Sequence, residues 1–496
     1  MKTPVLDKII YSLLFLVTIM IVFSCSRNPV SGKKEFMLMS INQELALGKQ
    51  SDPQIIQSFG LYPDSKIQSF INSKGQQMAK ISHRRDLKYE FKVLDSPVIN
   101  AFAIPGGYVY FTRGILAHFN NEAEFAGVLG HEIGHVTARH SARQYSKNMV
   151  AQVGFIAGII ASPYFRQYAQ EASTAMQLMF LKFGRDAETE SDKLGVEYSS
   201  RIGYDAVHMA NFFKTLSRIR AKSGQTIPTF MSTHPDPGDR YNNVKTMAKA
   251  YQGRQTQGQQ FKVNRDSYLR LIDGIVYGED PRQGYVVSNV FYHPTLKFKM
   301  TIPTGWQHIN SPSQFQMGPK DGKAMMMMTL ATETTLQAAR DNFVKNHQLA
   351  IVSQPTPKLN GLKAVAVVAQ QAQQQQQQGQ TQQAQQQPIK VLAYFIEHGG
   401  KIYTYIGVTS ADQWGAYQPL FTSTLNKFAV LSDPAKLNVK PERVKVITVA
   451  SNTSLSNVFK QNGVEAKRME ELAVLNSMML TDNIKQGTLI KVLEKR

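Results

Sequence analysis

The chain has 496 residues, 42% hydrophobic and 19% charged, enough apolar material for several domains with their own cores and too much for a disordered polymer. Its formal charge of +20 draws it to polyanions, so nucleic acid, an anionic membrane and the acidic cell envelope all stand as partners until the N-terminus is read. Cys25 is the single cysteine, which excludes an intramolecular disulfide.

Lys2 and Lys8 precede an apolar run from Ile9 to Phe23, of signal-peptide length and short for a spanning helix. The run ends in Val22-Phe23-Ser24-Cys25, which resembles a bacterial lipobox, where a small residue precedes a cysteine that becomes the lipidated start of the mature chain. Residues 1–24 therefore read as a signal peptide and Cys25 as the lipidation site; an uncleaved anchor ending at an incidental cysteine is the alternative. Either way the rest is exported. That sets nucleic acid aside and matches the positive charge to anionic lipid or other envelope polymers.

From Glu44 to Arg85 the pattern is helical, with Ile67, Phe70, Ile71, Met78 and Ile81 on one face. Tyr89–Leu94 then alternates as a strand, and Ala101–Ile104, Gly106-Gly107 and Tyr108–Phe111 predict a strand, a turn and a strand. The apolar run Phe125–Gly130 leads into His131-Glu132-Ile133-Gly134-His135. Residues four apart share a helix face, so His131 and His135 can point two imidazoles at one metal ion, a spacing that suits zinc. Glu132 sits close enough to touch a water on the metal without ligating it, the post of a general base. A chance pair of histidines on a buried helix is the bland alternative.

A catalytic zinc site normally has three protein ligands. Glu188, in the acidic stretch Gly184–Asp192, is taken as the third, and Asp192, one turn on, as the acceptor of a ligand histidine's ring N–H. Glu190 points off that face. A solvated acidic helix start would show the same residues. Between the two motifs, Met149 to Phe165 is apolar but interrupted by Gln152 and stopped by Ser162-Pro163; it reads as a lid over the cleft or a buried core helix. Ser232 to Arg240 forms a Pro/Gly-rich loop. There His234 could stabilise an oxyanion or visit the zinc, and Arg240 could orient the site carboxylates or stand as a solvated helix-start cation.

His131–His135 followed by Glu188-x-x-x-Asp192, with Asn100–Gly107 upstream and Ser232-Thr233-His234-Pro235 downstream, resembles the forty-eighth metallopeptidase family, that of the CAAX prenyl endopeptidases and HtpX. The likeness runs from about Asn28 to Lys249 and is closer to the soluble periplasmic branch of β-barrel assembly-enhancing proteases. Ser191 departs from it, since the family usually has alanine before the aspartate. The resemblance implies one Zn(2+) per chain and polypeptide substrates. It also assigns Asn100, Ala101, Phe102 and Ala103 to an exposed strand edge that would pair with extended substrate, where core strands alone are the alternative. For His234 it implies a switch that inhibits the resting enzyme.

The remainder reads as accessory structure. A Gln/Gly/Arg-rich stretch from Gln252 to Gln260 and connecting residues 259–284 form a linker. Strand-like runs at Phe298–Pro303, Met325–Thr329, Val365–Val368, Val391–Ile396 and Ile402–Val408, with helical runs at Leu336–His347 and Tyr417–Phe428, predict an α+β antiparallel-sheet domain over 285–432. It resembles the photosystem-PsbP/Mog-like fold through its Pro303-Gly305-Trp306 turn, and Gln370–Gln387 reads as a disordered loop within it. Residues 444–496 resemble a βααβ LysM module, with Ser451-Asn452-Thr453 where such modules have Gly-Asp. The fold expected is therefore multidomain α+β: a mainly helical zincin peptidase with a small sheet over 25–258, then these two modules. The function expected is a zinc metalloendopeptidase of the bacterial envelope, lipid-anchored to the outer membrane on its periplasmic side and acting on misfolded or unassembled envelope proteins. Peptidoglycan and the outer-membrane assembly machinery are further candidate partners, and an envelope chaperone or scaffold is the rival reading.

Overall fold

A computed structural model describes residues 25–146, 181–222, 229–235, 239–254, 260–359, 361–371 and 388–495. The signal peptide, the Met149–Phe165 stretch and residues 372–387 of the Gln-rich loop lie outside them.

The described chain starts with a small antiparallel pair, β1 (Cys25–Arg27) and β2 (Lys34–Phe36), with Cys25 opposite Phe36. Helix α1 (Ile41–Phe59) opens on a capping box in which the side chains of Ser40 and Gln43 each accept the other's backbone N–H. Helix α2 (Ser65–Ala79) begins at Asp64, whose carboxylate takes the Lys66 and Ile67 amides, and it buries Ile67, Ile71 and Met78. Its partner is a sheet of β3 (Glu90–Leu94), β4 (Ala101–Ile104) and β5 (Tyr108–Thr112), in spatial order β3-β5-β4. The β4–β5 turn needs Gly106 and Gly107, at φ +89° and +93°, which side chains rarely adopt.

After α3 (Arg113–His118), helix α4 (Glu122–Thr137) carries the His131–His135 motif and is buried along its whole length, as an apolar helix with small residues must be. Asn121 caps it by accepting the Glu124 amide. Past its end Arg139 takes φ +57°, a conformation costing about 1–2 kcal/mol, and its guanidinium donates to Glu44, Ser26 and the Met39 carbonyl. Helix α5 (Arg185–Arg201) packs on α4 through small residues: a Cβ on Gly130 would lie 3.0 Å from Gly195 Cα, and one on Gly195 would lie 3.1 Å from the His131 nitrogen. Helices α6 (Val207–Lys222), α7 (Thr229–Thr233) and α8 (Arg240–Gln252) complete this wall.

Residues 260–284 differ from the linker expected over 259–284. Helix α9 (Arg265–Leu271) and the turn after it put Tyr268, Leu269, Ile272, Ile275 and Val276 into the same core as α4. Tyr268 and Ile272 share one face of that helical turn, while Ile275 and Val276 are held by backbone pairing with the strand residues 442–444.

The second sheet system is antiparallel. Strands β6 (Tyr285–Val287), β7 (Val290–His293) and β8 (Phe298–Thr301) form a small sheet with β16 (Ala429–Val430). Strands β9 (Gln307–Asn310), β10 (Gln314–Gly318), β11 (Ala324–Leu330), β12 (Leu349–Ser353), β13 (Ala364–Gln371), β14 (Ile389–His398) and β15 (Lys401–Ser410) make a larger one, in order β12-β13-β14-β15-β11-β10-β9. Along β11, Met326 and Met328 join one core with Phe421 and Leu425 of α11 (Trp414–Leu425), while Met327 joins another with Ala339 of α10 (Leu336–Asn346). One helix thus covers each face.

A short helix α12 (Pro434–Leu437) leads to the last module. There β17 (Glu442–Thr448) pairs with β20 (Leu489–Lys495), and β18 (Thr453–Ser454), α13 (Leu455–Gln461), α14 (Ala466–Leu475) and β19 (Asn483–Ile484) lie between them in the chain. This module is not separate from the helical unit. Val444 and Leu489 enter the α4 core, and Lys491, fully buried, donates to the carbonyls of Ala117 and Phe119 at 2.9 and 3.0 Å. Among the described residues no helix is long and apolar enough to cross a membrane.

Candidate metal centre

The helical period puts His131 and His135 on the α4 face that meets α5. Their Nε2 atoms stand 3.0 Å apart. Glu188, in the first turn of α5, reaches the same point, with Oε1 3.4 Å from His135 Nε2 and Oε2 3.6 Å from His131 Nε2. His234, just past α7, completes the group: its Nδ1 is 3.2 Å from His131 Nε2 and 3.1 Å from Glu188 Oε1. One ligand-type atom from each of these four buried residues lies within 4.8 Å of the others. Glu132 stands beside them, fully buried, with neither carboxylate oxygen hydrogen-bonded; Oε1 is 3.6 Å from His234 Nε2, which has no hydrogen-bond partner either.

Buried polar atoms are normally satisfied. Here both Glu132 oxygens and His234 Nε2 are not, and Oε1 faces that nitrogen at 3.6 Å beside the converging group. Two imidazole nitrogens and a carboxylate converging with their lone pairs inward suit a divalent ion of the zinc type.

The electrostatics agree with that donor set. Burial holds His131 and His135 well below the ordinary imidazole range, hence neutral and able to ligate. Burial pushes Glu188 up, but the charges of His234 and Arg240 and bonds from His135 and His234 outweigh it, so its carboxyl sits well below the usual range. Burial raises Glu132 to about 7, and raises Asp192 despite Arg240 beside it. His234 is lowered by burial but carried above its ordinary value by Glu188 and Glu132.

Asp192 Oδ1 is 2.9 Å from His131 Nδ1 and accepts from Arg240 Nη2 at 2.6 Å, while Arg240 Nε donates to Oδ2 at 2.8 Å. Arg240 is buried, with its guanidinium 4.0 Å from the centre of the Phe213 ring, so it is no solvated cation. Asn100 to Ala103 lie in and beside β4, at the edge of the three-stranded sheet, but the Ala103 carbonyl already accepts from Ser141 Oγ at 3.0 Å. The Asn100 carboxamide is fully buried with no hydrogen-bond partner. Cys25 is not one of the converging residues; it opens β1.

Two residues passed over in the sequence stand against the centre. Phe183 stacks on His135, centroids 4.0 Å apart. His140 Nδ1 is 3.0 Å from His135 Nδ1, and Glu190, expected to point away, has Oε2 3.0 Å from His140 Nε2. The available signal was a third histidine close after the motif, although the turn at Arg139 removes it from helical spacing.

Part of the chain resembles known proteins. Residues 65–248 match the family model described as Peptidase family M48. The chain is 30% identical over 230 residues to the beta-barrel assembly-enhancing protease of Escherichia coli K12, an overlap covering 44% of this chain and 47% of that one. It is also 30% identical over 174 residues to the mitochondrial metalloendopeptidase OMA1 of Arabidopsis thaliana, covering 35% of this chain and 34% of that one. The chain thus spans about half the length of the bacterial relative. Among solved structures, the cyanobacterial PsbP of Synechocystis sp. PCC 6803 overlays at a TM-score of 0.23 and 12% identity, covering 29% of this chain and 94% of that one, too slight a likeness to describe the fold.

Proposed function

We propose, taking the Peptidase family M48 domain as premise, that this chain is a zinc-dependent endopeptidase of the bacterial envelope that hydrolyses misfolded or unassembled envelope proteins. The observation that carries the reading is the convergence of His131, His135, Glu188 and His234 beside an unpaired, buried Glu132. His131, His135 and Glu188 would hold the ion, which when bound supplies a Lewis acid and makes a water acidic enough to attack near neutrality.

The chain's own residues do the rest. Glu132 accepts the proton of the attacking water and returns it to the leaving amine. Its buried carboxylate, raised to about 7, is poised for both directions at neutral pH. Asp192, clamped by Arg240, fixes the His131 ring with Nε2 inward. His234 lies inside the ligand group in this conformation, at the place a substrate carbonyl needs, so it holds the resting centre shut and must withdraw before catalysis. Substrate would then lie extended along the β4 edge, which in this conformation is buried and must first be uncovered. A lipid on Cys25 would keep the enzyme at the outer membrane, and the last module, LysM-like in its strand and helix order, would face envelope glycan.

The test is Glu132→Gln. Zinc content should stay at one ion per chain while casein cleavage falls by roughly 10²- to 10⁴-fold, the usual worth of a general base. Wild-type turnover by the variant would refute the mechanism, and zinc retention without any cleavage by the wild type would favour a client-binding scaffold.

A further inference from the structure

We propose that His140 is a positioning residue for the metal ligand His135, and that Glu190, steadied by the N-terminal hairpin, fixes which ring nitrogen of His140 carries the proton. The inference rests on reading His135 as a ligand. Its Nε2 faces the other ligand atoms, 3.0 Å from His131 Nε2 and 3.4 Å from Glu188 Oε1. A ligating Nε2 is bare, so the ring proton sits on Nδ1 and needs an acceptor. The atom that meets it is His140 Nδ1, at 3.0 Å.

His140 accepts there only with its own proton on Nε2. That nitrogen lies 3.0 Å from Glu190 Oε2, which can only accept. Donation therefore runs one way, from His135 to His140 to Glu190, and each tautomer dictates the next. Asn28, itself buried, extends the chain: its Nδ2 is 3.5 Å from Glu190 Oε2 and 3.3 Å from Glu35 Oε1, and Glu35 pairs with Arg143 at 2.7 Å. The β1–β2 hairpin is thereby built into the support of the metal ligand.

The two α4 ligands are held differently. His131 donates straight to the anion Asp192, whereas His135 reaches its carboxylate through a neutral ring. The His140 side chain is fully buried while that of Glu190 is 24% exposed, so this second route ends near the surface. Ser191 Oγ lies 3.2 Å from the same His140 Nδ1 and competes for its lone pair.

The experiment times zinc release from the purified full chain into excess chromogenic chelator, and the thermal unfolding of the zinc-free protein beside it. His140→Leu should release zinc roughly 10- to 100-fold faster, the usual effect of losing such a partner. His140→Gln, whose carboxamide can accept at one end and donate at the other, should restore slow release. Glu190→Gln should fall between wild type and His140→Leu, and Ser191→Ala should release no faster than wild type. Wild-type release from His140→Leu, equal release from His140→Leu and His140→Gln, or a zinc-free melting point that falls in step with the release rates would each overturn the proposal. A wild-type chain that holds no zinc would sink the metal-centre reading and this inference with it. Wild-type retention with an indifferent His140→Leu would sink this inference alone.

Discussion

Gly130→Ala tests whether helix contact sets the metal geometry. The added methyl would sit 3.0 Å from Gly195 Cα and 3.0 Å from its carbonyl oxygen, both backbone atoms that cannot rotate away. Ordinary contact begins at 3.4 Å, so α4 and α5 must part by about 0.4 Å. That is twice the ~0.2 Å tolerance of a ligand bond, and the displaced helix carries Glu188 and Asp192. Overpacking costs about 1–3 kcal/mol, and replacing a helical glycine by alanine returns up to about 1 kcal/mol, so the zinc-free protein should lose about 0–3 kcal/mol. Zinc affinity should fall ~10-fold or more, out of proportion to that loss. Competition with a chelator gives the affinity, and urea unfolding of the zinc-free chain gives the stability. Gly415→Ala is the control: a Cβ there meets nothing within 4 Å, so it should leave zinc affinity unchanged. Wild-type zinc affinity together with raised stability in Gly130→Ala would refute the reasoning.

Removing the imidazole in His234→Ala should raise basal casein cleavage if that residue closes the resting centre; a fall of roughly 10²-fold would instead make it an oxyanion donor, and no change would remove it from the mechanism. Lys491→Met leaves two buried carbonyls without their donor and should cost about 1–3 kcal/mol, seen as a lower urea midpoint with early proteolysis of the last module; an unchanged midpoint would show that this contact does not hold the module. Burial holds the His118 imidazole down to about 4, against about 6.5 for a solvated ring. The unfolded chain therefore takes up this proton first on acidification, and stability present above pH 6.5 is lost toward pH 4, by about 3 kcal/mol; His118→Gln should flatten that part of the curve, and an identical curve would assign the loss elsewhere. Cys25→Ala should abolish incorporation of radiolabelled fatty acid, and labelling of the variant would refute the lipobox reading.

The meeting of His131 with His135, and of Glu188 with Asp192, follows from a helical period that any sequence displays. For Arg240 the sequence left two readings open, a site-orienting cation and a solvated helix-start cation, and only its burial against Asp192 and Phe213 decides between them. His140 could not be placed, since its position depends on Arg139 leaving the helix at a φ that no pattern announces. Glu190 is outside the converging group, and its link to His140 is hidden for the same reason: that partner comes from beyond the turn. In the sheet unit the long strands were visible by alternation, whereas β9 is short and wholly exposed and gives no apolar period. Lys491 reads as a surface lysine in a strand; only packing of the last module against α3 shows that it is a buried donor.

The hydrogen bond from Arg139 to Ser26 changes what an anchor at Cys25 would mean. Ser26 is one residue, about 3.8 Å of chain, beyond that cysteine, and Arg139 is fixed at the end of the helix that carries the centre. Most surface-tethered enzymes sample a hemisphere whose radius is set by a slack leader. Here there is no slack: a lipid at Cys25 would hold the active centre at a fixed altitude above the bilayer and with a fixed bearing. The enzyme would then survey a thin layer by moving laterally with its lipid, and a client would be cut according to how near the membrane its unfolded segment lies. Lengthening the chain between Cys25 and Ser26 would free it, because the slack would then lie between the lipid and the grip on Ser26.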